Sequence, residues 1–257
     1  MKIDLGKRDL KSLFWILRQK ESYRAILNLF LKIERPFSIL WNEILGRRFH
    51  STVFVRTPLM RLKVFLFDRV DLSTLLGIFC REDYKLASTD KIIVDIGSNI
   101  GIASLYFLSR SNETYVYCFE PLPRNIEKLK QNLTPFSGRY NLDEVAISTQ
   151  SGEFDFFFEK TGKFGGLNMN TAQQKISVQS KEINNILGQI IDKHSEIDCL
   201  KIDVEGLEDK ILKHIDTNIL NRIKKIYLEN SGVMNLSPLF TRKWRYNVAQ
   251  FIRHDCT

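Results

Sequence analysis

The chain has 257 residues, 44% of them hydrophobic and 26% charged, a balance that suits a globular fold and excludes a disordered or fibrous one. Its net charge of +8 sits at the ends: residues 1–50 carry eleven Lys/Arg against five Asp/Glu and residues 241–257 four against one, whereas 51–240 hold 23 against 24. A nearly neutral body offers no cationic track for a phosphate backbone, which argues against a nucleic-acid substrate.

No window approaches the roughly 18 uninterrupted apolar residues of a membrane span, and no signal-type apolar core follows the first charges. A cytoplasmic protein is expected. Cys80, Cys118, Cys199 and Cys256 contain no C-x-x-C pair, and His50, His194, His214 and His254 are equally scattered. Neither a disulfide framework nor a metal site is expected.

In chain order, Leu10, Leu13, Phe14 and Leu17 fall at helical spacing, and Pro36 opens a second helical pattern through Phe37, Leu40, Trp41, Ile44 and Leu45. Residues 1–50 thus form a basic amphipathic segment, expected to pack on the main domain or on a second copy, or to touch a membrane surface. Runs at 52–56 and 62–67 around Pro58 predict a hairpin, and 72–79 a helix. From Lys91 the pattern alternates: strand 92–95, helix 101–109, strand 115–120, helix 123–132, strand 142–147 and an extended run at 153–158. This is the signature of a mostly parallel α/β sheet with helices on both faces.

Three glycines within Lys160–Gly166 predict a mobile loop that can serve as a substrate lid. A helix at 181–192 follows, then a buried strand at 199–203, a helix burying Leu207, Ile211, Leu212 and Ile215, and a strand at 225–229. Residues 239–252, with Leu239, Trp244, Val248 and Phe251 at near-helical intervals, predict one terminal helix. The main domain therefore spans 51–257, with its core at 91–230.

The strand at 92–95 ends in Asp95-Ile96-Gly97-Ser98-Asn99-Ile100-Gly101, a turn in which Gly97 and Gly101 would let the backbone approach a ligand. The next strand ends in Glu120, about 20 residues past the turn, where an acid accepts hydrogen bonds from ribose hydroxyls. Asn99 and Ile102 replace the residues a pyrophosphate-binding turn needs. A ligand with a ribose, an amino-acid carboxylate and an ammonium but no phosphate fits Asp95, Asn99 and Glu120 better, and S-adenosylmethionine is such a ligand.

The ordered set VDIGSNIG, CFEPLPRNIEKLKQNL, VAIS, CLKIDVEGLEDKIL and IYLEN, spread over residues 61–230, resembles the FkbM family of S-adenosylmethionine-dependent methyltransferases. The resemblance implies a class I methyltransferase fold, Rossmann-like, and usually O-methylation of a small molecule or sugar unit. It places the cofactor at Asp95, Gly97, Asn99, Gly101 and Glu120, with Ala146 near adenine.

Asp203, Glu205 and Glu229 would project from the carboxyl edge of the sheet into the same crevice. Methyl transfer to oxygen requires a hydroxyl in line with the methyl–sulfur bond and a group to take its proton. Asp203 is the candidate base or hydroxyl-positioner. Glu205 and Glu229 come second, because Glu205 can instead pair with Lys201 or cap the helix near Gly206. The place of Asp203-Val204-Glu205-Gly206 excludes the Asp/Asn-Pro-Pro-Tyr tetrapeptide of base-amino methyltransferases.

A complete class I sheet ends in an antiparallel strand pair, and a single helix at 239–252 leaves no room for it. The pair is expected to be missing, which exposes the fifth strand and raises a competing reading: a non-catalytic cofactor-binding paralogue, or a partner of a full-length enzyme.

Overall fold

The computed structural model describes residues 20–39, 51–158, 165–166, 174–204, 206–229 and 231–256. They fall into two compact units, divided between Lys85 and Leu86. The helix expected at 10–17, most of the pattern that Pro36 opens, the loop at 159–164 and Glu205 lie outside the described residues.

The first unit contains α1 (Lys20–Lys32), the antiparallel pair β1 (Ser51–Arg56) and β2 (Arg61–Leu66), and α2 (Arg69–Leu75), which runs on as a π-helical turn, Leu76–Arg81. The hairpin follows from alternation: Val53, Val55, Leu62, Val64 and Leu66 are buried while Arg56, Arg61 and Lys63 face water. The helix α1 belongs to a stretch that the apolar spacing leaves unassigned.

The second unit is built on a seven-stranded sheet. Its strands are β3 (Ile92–Ile96), β4 (Tyr115–Phe119), β5 (Tyr140–Asp143), β10 (Ile197–Ile202), β11 (Ile223–Glu229), β12 (Phe240–Arg245) and β13 (Val248–Arg253). They lie in the order β12-β13-β11-β10-β3-β4-β5. The five from β3 to β11 are parallel, and β13 runs antiparallel to both β11 and β12. Between them run α3 (Ile102–Leu108), α4 (Pro123–Leu133), α5 (Ile183–His194), α6 (Glu208–His214) and α7 (Thr217–Leu220). The central strands are mostly apolar because helices cover the sheet, and β10 is buried along its whole length, Asp198 and Lys201 included.

This topology corrects the expectation of a missing edge: the antiparallel pair is present where one helix was read. Val248, Ala249 and Phe251 are fully buried because β13 is an interior strand, whereas Trp244, counted towards the helical stripe, is half exposed on the edge strand β12. The class I sheet is complete.

A second correction concerns 142–147. The run splits, because β5 closes the main sheet while Ala146 begins β6 (Ala146–Ser148) of a separate sheet. That sheet has the order β6-β9-β7-β8, with β7 (Gly152–Phe158), β8 (Gly165–Gly166) and β9 (Gln174–Glu182). Glu182 then caps α5, its two carboxylate oxygens accepting the backbone N–H groups of Asn184 and Asn185 at 2.9 Å each.

Candidate active site

The parallel strands end together, and their carboxyl edge gathers the polar groups of the site. Beneath it, Asp95 and Lys201 stand opposite each other on β3 and β10. The Lys201 ammonium donates to Asp95 Oδ1 at 3.0 Å and to the Gly97 carbonyl at 3.1 Å, and lies 3.4 Å from Asp203 Oδ2. Asp95 Oδ2 accepts the Ser104 hydroxyl of α3 at 2.6 Å. Burial disfavours the charged ammonium, but Asp95 and Asp203 outweigh it and hold Lys201 above the usual lysine range.

Asp95 has no exposed surface, and both its oxygens are engaged by protein groups. In this arrangement Asp95 secures the turn through Lys201 and Ser104. The glycines have a similar explanation. A Cβ on Gly97 would overlap the Asp203 carbonyl oxygen, and one on Gly101 would press on Leu129 at 3.1 Å. Both residues have positive φ, 75° and 82°, as has Asn99 at 50°. The close approach at Gly97 is thus to the protein's own β10 tip.

The turn is pinned to β4. The N–H groups of Gly97 and Ser98 both donate to the Phe119 carbonyl, and Asn132 of α4 donates to the Ile100 carbonyl at 2.8 Å. Glu120 lies just past β4 and is 4% exposed. Its Oε1 accepts from Leu122 N–H and from the Asn125 amide, and its Oε2 from Asn99 N–H at 2.8 Å. Burial pushes its carboxyl up to about 7, against the pull of these donors. Oε2, with one donor, keeps a lone pair for a further hydroxyl.

Asp203 follows β10 and Glu229 ends β11, so both stand at the same carboxyl edge, and Asn247 of the β12–β13 turn donates to Glu229 Oε2 at 3.3 Å. The Asp203 side chain is 28% exposed. Ala146 is buried with Leu122, Phe156, Phe158 and Val178, so the segment after Glu120 packs into the core of the small sheet. Glu120, Asn99, Asp203 and Glu229, the candidates from the sequence, all lie at this edge. The bridging place of Lys201 was not legible in the sequence, nor were Ser98, Ser104 and Asn125; a lysine set between the apolar Leu200 and Ile202 was the available signal.

The residues Asp95–Tyr246 match the model of the FkbM methyltransferase domain. The chain belongs to the FkbM methyltransferase family. S-adenosylmethionine is the cofactor that this membership implies. Among curated relatives, the chain is 28% identical over 163 residues to the 2-O-methyltransferase NoeI of Sinorhizobium fredii, covering 57% of this chain and 65% of that one. It is 28% identical over 152 residues to the hexuronic acid methyltransferase AglP of Haloferax volcanii, covering 57% and 59%. It thus spans less than two thirds of either relative. A solved structure, methyltransferase FkbM from Methylobacillus flagellatus KT, is similar with a TM-score of 0.49 at 13% identity, covering 96% of this chain and 63% of that one.

The charges at the edge of this FkbM-family sheet fit the cofactor. Asp95, Asp203 and Glu229 all act on Lys201, Glu120 feels the same ammonium, and Glu208 feels Asp203. Such a surplus of carboxylates around one ammonium suits a ligand that brings a sulfonium and an ammonium against a single carboxylate.

Proposed function

We propose that this chain is a cytoplasmic S-adenosylmethionine-dependent O-methyltransferase acting on a hydroxyl of a saccharide or secondary-metabolite intermediate. The observation that carries this reading is the carboxylate-rich edge formed by Glu120, Asp203 and Glu229 around the glycine turn. The descriptions of two relatives, a 2-O-methyltransferase and a hexuronic acid methyltransferase, favour an oxygen acceptor on a sugar-like molecule.

When bound, the cofactor supplies a methyl group on a positively charged sulfur. Glu120 would accept a ribose hydroxyl through Oε2, and Asn99 and Gly97 would hold the turn against it. Ala146 would border the adenine side. Asp203, partly exposed beside Lys201, would orient the acceptor hydroxyl and take its proton, with Glu229 next to it as the second acid. Glu205 keeps its place among the candidates on sequence grounds alone. The competing non-catalytic reading drew its support from an absent sheet edge, and β12 and β13 remove that ground.

Two measurements test the reading. Calorimetry with S-adenosylmethionine and S-adenosylhomocysteine is expected to give binding of both, and a chain that takes up neither ends the proposal. Labelled methyl incorporation into cell-extract saccharides is expected for the natural chain and not for Asp203→Ala, which should still bind the cofactor.

A further inference from the structure

The helix α1 presents two faces. Its inner face is tied into the first unit: the Asn28 amide donates to the Cys80 carbonyl at 2.7 Å, and the Lys32 ammonium to the Phe79 carbonyl at 3.0 Å and to Glu82 at 2.7 Å. Leu29 and Ile33 are buried on the same side. The outer face is apolar too. Tyr23, Ile26, Leu27, Phe30 and Leu31 are all exposed and fall within an arc of about 140° at 100° per residue. Phe37, 74% exposed, stands edge-on to Phe30 at 5.3 Å and extends the stripe.

Beside this stripe lies the β1–β2 hairpin. Ile33 bridges to Val55, Arg56 donates to the Leu31 carbonyl, and Arg61 pairs with Glu34 at 2.6 Å. Residues 51–67 contain Arg56, Arg61 and Lys63, all exposed, and no acid. Over 20–39 and 51–67 the count is seven Lys/Arg against two Asp/Glu. An exposed apolar stripe flanked by basic residues is the combination that an interfacial helix uses.

We propose that the outer face of α1 and the adjoining hairpin form a docking surface for an anionic lipid bilayer. A second copy is the poorer occupant, because two-fold pairing would set the same basic hairpins against each other. At a bilayer the apolar side chains enter the boundary between headgroups and acyl chains, while Arg56, Lys63 and Arg35 meet lipid phosphates. This inference is independent of the chemistry proposed above.

The test is sedimentation of the full chain with vesicles of phosphatidylcholine alone and of phosphatidylcholine with about 30% phosphatidylglycerol. The chain should pellet with the anionic vesicles, not with the neutral ones, and less at high salt. Leu27→Ser combined with Leu31→Ser should weaken binding about tenfold or more at unchanged melting temperature and cofactor affinity, since both side chains already face water. Lys63→Glu should weaken it as well. The proposal is overturned if anionic vesicles pellet nothing, if both compositions pellet the chain equally, or if ultracentrifugation finds a dimer that the paired leucine substitutions dissolve.

Discussion

The Lys201 ammonium and the Asp95 carboxylate, 3.0 Å apart, join the two central strands with side chains that are 3% and 0% exposed. Ser104 adds α3 to the same contact. The turn that follows β3 is therefore held from below by charge, with Asp203 attached to the same cation. Lys201→Met would leave buried acids without a counter-charge and should cost about 3–5 kcal/mol in urea unfolding. Adding Asp95→Asn should restore part of that loss. Strictly additive losses in the two variants would mean that the pair is not coupled.

Glu120 gives a pH dependence with a definite sign. Its folded carboxyl titrates near about 7, above its ordinary value, so its contribution to stability is fully present at acid pH and is lost as pH rises through neutrality. With Glu120 in its proposed role, cofactor binding should run the other way, because a ribose hydroxyl would donate to the ionised form. Affinity should rise about tenfold between about pH 6 and pH 8, and Glu120→Gln should flatten that slope. A slope that survives in the glutamine variant would assign it to another group.

The Gly97 contact predicts an effect that side-chain volume alone would not. Gly97→Ala sets a methyl against the Asp203 carbonyl and adds positive-φ strain, so it should lower stability by at least about 1–3 kcal/mol and impair cofactor binding. Gly138→Ala has comparable strain, at φ 81°, but open space around it, and should cost less. Thermal melting of the two variants side by side separates overlap from strain.

Asp203 and Glu229 can be distinguished kinetically. Asp203→Asn keeps the shape of the edge and removes the proposed proton acceptor, so kcat should fall by about 10²–10⁴-fold with cofactor affinity retained. Glu229→Gln should leave a larger residual rate. If the two variants lose activity in the reverse order, the base lies on β11.

The strand pair at the carboxyl terminus is tested by packing. Phe251→Ala, in the interior strand, should cost about 3–5 kcal/mol, while Trp244→Ala on the exposed side of the edge should stay within about 0.5 kcal/mol. Equal costs would contradict the sheet order.

The parallel core was legible because β3, β4, β10 and β11 are short apolar runs, each ending at or next to an acid, and helices of ordinary period separate them. The last two strands were not. β12 is an edge strand whose Arg242, Lys243 and Arg245 hide the alternation, and its turn to β13 uses Tyr246 at φ 55° rather than a glycine. The run at 142–147 misled because hydrophobicity carries no mark of which sheet a strand joins. At the site, residue types pointed to the carboxyl edge of the sheet, but a sequence does not reveal that Asp95 pairs with Lys201, 106 residues away on the neighbouring strand β10.

The small sheet has an evolutionary consequence. Leu122, two residues beyond Glu120, is embedded among Ala146, Phe156, Phe158 and Val178, so the proposed ribose-binding segment shares its foundations with an insertion lying between β5 and α5. Substitutions that reshape this insertion should also disturb Glu120, the carboxylate proposed to hold the methyl donor. Diversification of such a chain is therefore expected to proceed through compensating pairs of changes, one in the insertion and one along 120–125.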